Sequence, residues 1–161
     1  MAKLIEIKGD VTNPQRQEED IIVIPHCCNN LKKMGAGVAL AIKQKWPKVF
    51  DVYSNASSNL GTVSYVKVED DIVIANIIGQ KGFIGRNNPK PIKYTALMRA
   101  MIDIKEKCLF NMEKKGIKVS IHTPEFGGKR AGGNFNFIKE LIQEIWVDNG
   151  IDVVIYQFEE K

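Results

Sequence analysis

The sequence predicts an α/β fold: a mixed, mostly parallel sheet of six strands, covered by helices on both faces. Three observations predict it. The runs "DIIVIPH" (20–26) and "DIVIANIIG" (71–79) are continuously apolar, as in strands buried on both faces. Segments of helical periodicity alternate with such runs. Two glycine-rich stretches each leave a strand and enter a helix, which puts them at the carboxyl ends of the strands, where open α/β sheets bind ligands.

Taken in order, Leu4 to Lys8 alternates as a short strand closed by Gly9-Asp10, and Asp20 to His26 is the first buried strand. From Gly37 to Tyr53 the residues Val38, Ala41, Ile42, Val49 and Phe50 recur at helical spacing, with Pro47 set to break or restart the helix. "TVSYVKVE" and "DIVIANIIG" are strands joined by a turn short enough for a hairpin. "QKGFIGRNNPKP" is a loop. Lys93 to Lys115 is the longest helix, with Tyr94, Leu97, Met98, Met101, Ile104, Cys108, Leu109 and Met112 on one face and Gly116 as its stop. "IKVSIHTP" is a strand, "EFGGKRAGGN" a loop, "NFNFIKELIQEIWVDNG" a helix capped by Asn134 or Asn136, and "IDVVIYQF" the last strand. Trp46 and Trp146 sit among apolar neighbours as core residues.

The 161 residues show no repeat and no linker, so one domain over 1–161 is expected. No apolar run approaches the ~20 residues of a membrane span, and "MAKLIEIKGD" does not read as a signal peptide. Cys27, Cys28 and Cys108 have no disulfide-scaffold spacing and read as reduced thiols in a cytoplasmic protein. A net charge of +4 suits an anionic ligand but is too small for a dedicated nucleic-acid binder, and aromatics at 8% are few for a stacking platform. No nucleic acid, membrane or obligate protein partner is expected, and a monomer is.

Residues 127–133, "GGKRAGG", hold four glycines with Lys129 and Arg130, a composition suited to phosphate contact. The stretch is no P-loop, since Arg130 stands where Walker A needs Ser or Thr, and no dinucleotide fingerprint follows the first strand. "HCC" lacks two of the four zinc ligands unless remote Cys108 and His122 complete it, so no metal is expected, and no organic cofactor. A Cys–His nucleophile competes with plain packing of either thiol. His122 reads as a core histidine; His26, ending its strand beside a glycine loop, reads equally as core or ligand-facing. Asp10 is a turn residue or a ligand acceptor, and Tyr156 is core or a surface for a base.

"KGDVTN", "HCCNNLKKMGAGVALAI", "HTPEFGGKRAGGNF" and "VVIYQF", in that order over almost the whole chain, resemble the macrodomain family, which binds ADP-ribose. The resemblance implies a three-layer α/β/α sandwich. It implies that Asp10, beside the Val11 backbone, accepts a hydrogen bond from the adenine amino group. The family's Asn-Ala-Ala-Asn strand end falls on His26, Cys27, Cys28 and Asn29, so Asn29 would hold the distal ribose. Gly35, Ala36 and Gly37 match the loop around that ribose and its phosphate. Residues 127–133, with Gly127, Gly128, Lys129, Arg130, Ala131 and Gly132, match the diphosphate loop, and Tyr156 matches an aromatic packed on adenine. The acidic residues of two de-ADP-ribosylating branches are replaced by Ala39 and Ala131, while Lys81 lies near a lysine of one branch. The His-x-Cys-Asn strand end and "IAN..GQ" are more similar to the small branch that removes phosphate from ADP-ribose 1″-phosphate. There His26, near its ordinary pKa of about 6.5, would be acid or base, Asn29 would orient substrate, and Lys32 or Lys33 would offset charge. A non-catalytic ADP-ribose reader, and a hydrolase freeing ADP-ribose from proteins with Glu125 as substitute carboxylate, are the alternatives.

Overall fold

In the computed structural model, which describes residues 1–128 and 131–158, the chain runs β1 (Leu4–Lys8), β2 (Ile21–Asn29), α1 (Gly37–Lys45), α2 (Pro47–Asn55), β3 (Val63–Glu69), β4 (Ile72–Gln80), α3 (Tyr94–Lys115), β5 (Val119–Pro124), α4 (Phe135–Ile145) and β6 (Asp152–Gln157). Among the described residues the strands form one sheet in the order β1-β6-β5-β2-β4-β3. Five run parallel, and the edge strand β3 pairs antiparallel with β4 across the turn at Asp70-Asp71. The expected hairpin and the mixed, mostly parallel sheet are both present.

The period of two in each strand divides the buried residues between two cores. Val23, Ala75, Ile77, Val119, Ile121, Val153 and Ile155 pack with α3 and α4, whereas Ile22, Ile24, Ile72, Ile74, Ile78, Val154 and Tyr156 pack with α1 and α2. This gives three layers, α/β/α. No helix among the described residues is long and apolar enough to cross a membrane.

Several boundaries differ from the pattern-based expectation. β2 continues past His26 because β4 pairs alongside it to Asn29. The first helix divides at Trp46, and Pro47, which has no N–H to lose, opens α2. Met98 lies at the edge of the buried face of α3 and is 37% exposed. α4 stops at Ile145, and Val147–Asn149 makes a 3-10 turn ended by Gly150 with φ 94°. Trp46 and Trp146 are core, and the Trp146 Nε1–H donates to the Met101 carbonyl at 2.9 Å, tying α4 to α3.

Asn134 caps α4, its Oδ1 accepting from the N–H groups of Asn136 (2.9 Å) and Phe137 (3.4 Å). Loss of a cap of this kind costs about 1 kcal/mol, so Asn134→Ala should lower the unfolding free energy by about that amount in a urea titration.

Candidate functional site

The five parallel strands end at one edge, so Gly9, Asn29, Gln80, Pro124 and Tyr156 border a common cleft of about 650 Å³. Its walls are the segment after β1, the end of β2, the start of α1 and the loop after β5.

The end of β2 is shaped by a bulge. Asn29 pairs with Gln80 while Cys28 pairs with Ile78, which leaves Gly79 unmatched. A Cβ on Gly79 would stand 2.7 Å from the Cys27 sulfur, so this position has room only for glycine. Cys27 and Cys28 are free thiols pushed up by burial, Cys27 to about 12 and Cys28 well above its ordinary value, which removes the thiolate a nucleophile needs.

His26 borders the cleft but is only 2% exposed. Three strands meet at its register: Asn76 donates from Nδ2 to Ser64 Oγ at 3.2 Å and accepts through Oδ1 from His26 Nε2 at 2.6 Å. The ring is therefore the Nε2–H tautomer. Burial pushes its pKa down to about 4, against the smaller opposing effect of the Asn76 bond. The expectation of an imidazole titrating near 6.5 is corrected: the ring is neutral because it is buried, and locked because its register partner is the Asn76 amide.

Asn29 spends its side chain on the loop that follows. Its Oδ1 accepts from the Leu31 N–H and its Nδ2 donates to the Lys33 carbonyl, both at 2.9 Å, while the Tyr53 hydroxyl donates to its backbone carbonyl. Lys32 adopts a left-handed φ of 59° and donates through Nζ to the carbonyls of Ser54 and Ala56 at the end of α2. Lys32 thus serves a helix end, and of the two expected lysines Lys33 is the one bordering the cleft.

Gly35, Ala36 and Gly37 form the wall that leads into α1. No side chain caps that helix and its first turn holds no acid, so the N–H groups of Gly37, Val38 and Ala39 are open to an anion. Gly127, Gly128 and Ala131 border the cleft opposite, whereas Gly132 turns away, a Cβ there meeting the Pro89 carbonyl at 2.3 Å. Lys129 and Arg130 lie outside the described residues.

Asp10 is held by an Asx turn. Its Oδ1 accepts from Thr12 N–H (2.9 Å) and Thr12 Oγ1 (2.7 Å), which leaves Oδ2 for another donor. Val11 is buried beside it, and Tyr156, 2% exposed, forms floor rather than an open stacking face. Pattern reasoning missed Phe83, Ile84 and Phe158, which border the cleft yet are 47%, 48% and 60% exposed. Asn76 stands in the "IAN..GQ" strand, but nothing local in the sequence assigned it the role of partner to His26. Among the described residues no three His, Cys, Asp or Glu side chains converge as metal ligands.

No family model matches the chain. A Streptomyces coelicolor macrodomain superposes with a TM-score of 0.78 at 27% identity, covering 99% of this chain and 100% of that one. The chain has the macrodomain fold. Thermosipho africanus DarTG, solved in complex with ADP-ribose, shares the fold with a TM-score of 0.64 at 21% identity, over 84% of this chain and 37% of that one. Among curated proteins, the mouse chromodomain-helicase-DNA-binding protein 1-like is 28% identical over 94% of this chain, which spans 17% of that protein. The ADP-ribose 1″-phosphate phosphatase of Meyerozyma guilliermondii is 31% identical over 61% of this chain and 53% of its own length.

Two buried histidines, His26 and His122, have pKa values lowered by burial, and the sign of their linkage follows. Each adds stability that is complete above about pH 6.5 and is lost as pH falls through the lowered folded value. The urea midpoint should hold from about pH 8 to 6.5 and then drop, and the His26 ring should show no NMR titration in that upper range.

Proposed function

We propose that this cleft binds ADP-ribose and hydrolyses ADP-ribose 1″-phosphate to ADP-ribose and phosphate. The observation that carries the reading is the convergence, in one cavity, of a carboxylate with a spare oxygen at Asp10, an uncapped helix N-terminus at Gly37 and a glycine turn at Gly127-Gly128. The first suits the adenine amino group, and the other two suit a diphosphate. The Meyerozyma relative supports the choice of substrate. Among the described lining residues Asp10 and Glu125 are the only carboxylates, which favours a ligand with a third phosphate over a more acidic site.

In this reading Val11 flanks the adenine and Asn29 and His26 shape the ribose wall, His26 as a neutral ring. Gly35, Ala36, Gly127, Gly128 and Ala131 border the ribose phosphates, and Lys33 offsets the charge of the 1″-phosphate. Water attacks phosphorus, the bond from phosphorus to the anomeric oxygen breaks, and Glu125, the carboxylate of the second loop, takes the water's proton and passes it to the departing anomeric oxygen. A reader without turnover is the second reading, favoured by the commitment of His26 and Asn29 to internal bonds.

A phosphorus NMR time course with ADP-ribose 1″-phosphate separates the two. Loss of the 1″-phosphate signal with growth of free phosphate is the expected result. Diphosphate resonances that shift without turnover would leave a reader, and an unchanged spectrum would remove ADP-ribose from this cleft. Glu125→Gln should slow turnover by about a hundredfold or more while the Kd for ADP-ribose stays within about twofold. An unchanged rate would take Glu125 out of the chemistry.

A further inference from the structure

Beneath the Asp10 end of the cleft lies a set of buried polar groups that the proposed chemistry does not use. The Glu19 and His122 side chains are 2% and 0% exposed. A lone carboxylate there would be strongly unfavourable, yet this one is saturated. Its Oε1 accepts from Ser120 Oγ at 2.6 Å and from His122 Nε2 at 2.8 Å, and its Oε2 accepts from the Gln17 N–H at 2.6 Å. Burial alone would raise the Glu19 pKa. The bonds from Ser120, the Glu19 backbone, His122 and Gln17 outweigh that and hold the carboxyl below its ordinary value, so it is an acceptor only.

The proton inventory then has one solution. His122 carries its proton on Nε2 and, kept neutral by burial, offers a lone pair at Nδ1. The Tyr156 hydroxyl, 2.7 Å away, donates to it, and the Tyr156 oxygen accepts the Gln15 N–H at 2.9 Å. Every step fixes the next, from Ser120 in β5 to the backbone of the segment that follows Asp10. Tyr156 is also the cleft floor, and Gly9 sits against its ring, where an added Cβ would be 3.5 Å from Cδ2.

We infer that the Glu19–His122–Tyr156 chain is a positioning device that sets base selectivity, by holding the Gly9–Thr12 segment over the Tyr156 ring so that Asp10 Oδ2 meets an exocyclic amine. The inference rests on the ADP-ribose reading above. Glu19 and His122 touch no ligand and act through Tyr156 and Gln15. Their selectivity effect distinguishes this from a packing role, because loosening the segment weakens recognition of the amino group and leaves the phosphate contacts in place.

The test compares Kd values for AMP and for IMP, which carries a carbonyl where adenine has its amine, in the wild type, Tyr156→Phe and Glu19→Gln. Urea titration confirms that each variant is folded, and Tyr156→Phe keeps the ring and with it the core packing. The wild type should prefer AMP by about tenfold or more, and both variants should bring the ratio within about twofold, mainly through weaker AMP binding. Folded variants that keep the wild-type ratio, whatever their stability, would overturn the inference. A wild type that binds ADP-ribose but does not discriminate AMP from IMP would overturn it too. A wild type that binds none of the three would sink the ADP-ribose reading and this inference with it.

Discussion

Between its two helical layers β2 has no solvent face, so each polar group on its carboxyl half must find a partner inside the protein or in the cleft. That constraint organises the site. His26 is answered by Asn76 from β4 and, through it, by Ser64 from β3. Asn29 is answered by the loop it begins and by Tyr53 from α2. The bulge at Cys28-Asn29 breaks the ladder where pairing must end and the cleft must open.

The two helices that follow the glycine loops begin differently. α4 begins under the Asn134 cap, so part of its N-terminal hydrogen-bonding demand is met within the chain. α1 begins at Ala36-Gly37 with no side-chain cap, and a helix N-terminus left in that state favours an anion. A modest positive charge on the whole chain is therefore less informative than the placement of one uncapped end beside Lys33 and two carboxylates.

Much of the fold was legible because it depends on local periodicity. Continuous apolar runs marked β2 and β4, alternation marked β3, and Lys114-Lys115-Gly116 marked the end of α3, where Gly116 takes a left-handed φ of 62°. The linear pattern could not assign partners. Lys32 and Lys33 are neighbours of one residue type, yet one caps α2 and the other borders the cleft, because the left-handed turn at Lys32 directs them apart. Phe83 and Ile84 sit in a stretch that reads as plain loop. The pairings of Gly85 with Asn88 and of Lys81 with Pro91 fold that stretch back to the mouth of the cleft.

The sequence by itself determined the order of elements, the two-sided burial of the sheet and the strand ends at which the glycine loops lie, since all of these follow from periods of 2 and 3.6 and from glycine's conformational range. Only the tertiary structure decided the protonation and freedom of the polar groups. His26 and His122 each sit in an apolar strand, and nothing local says which amide or carboxylate will face them. Register brought Asn76 to one, and the segment after β1 carried Glu19 to the other. Burial and partner set a pKa, and both are properties of the folded chain.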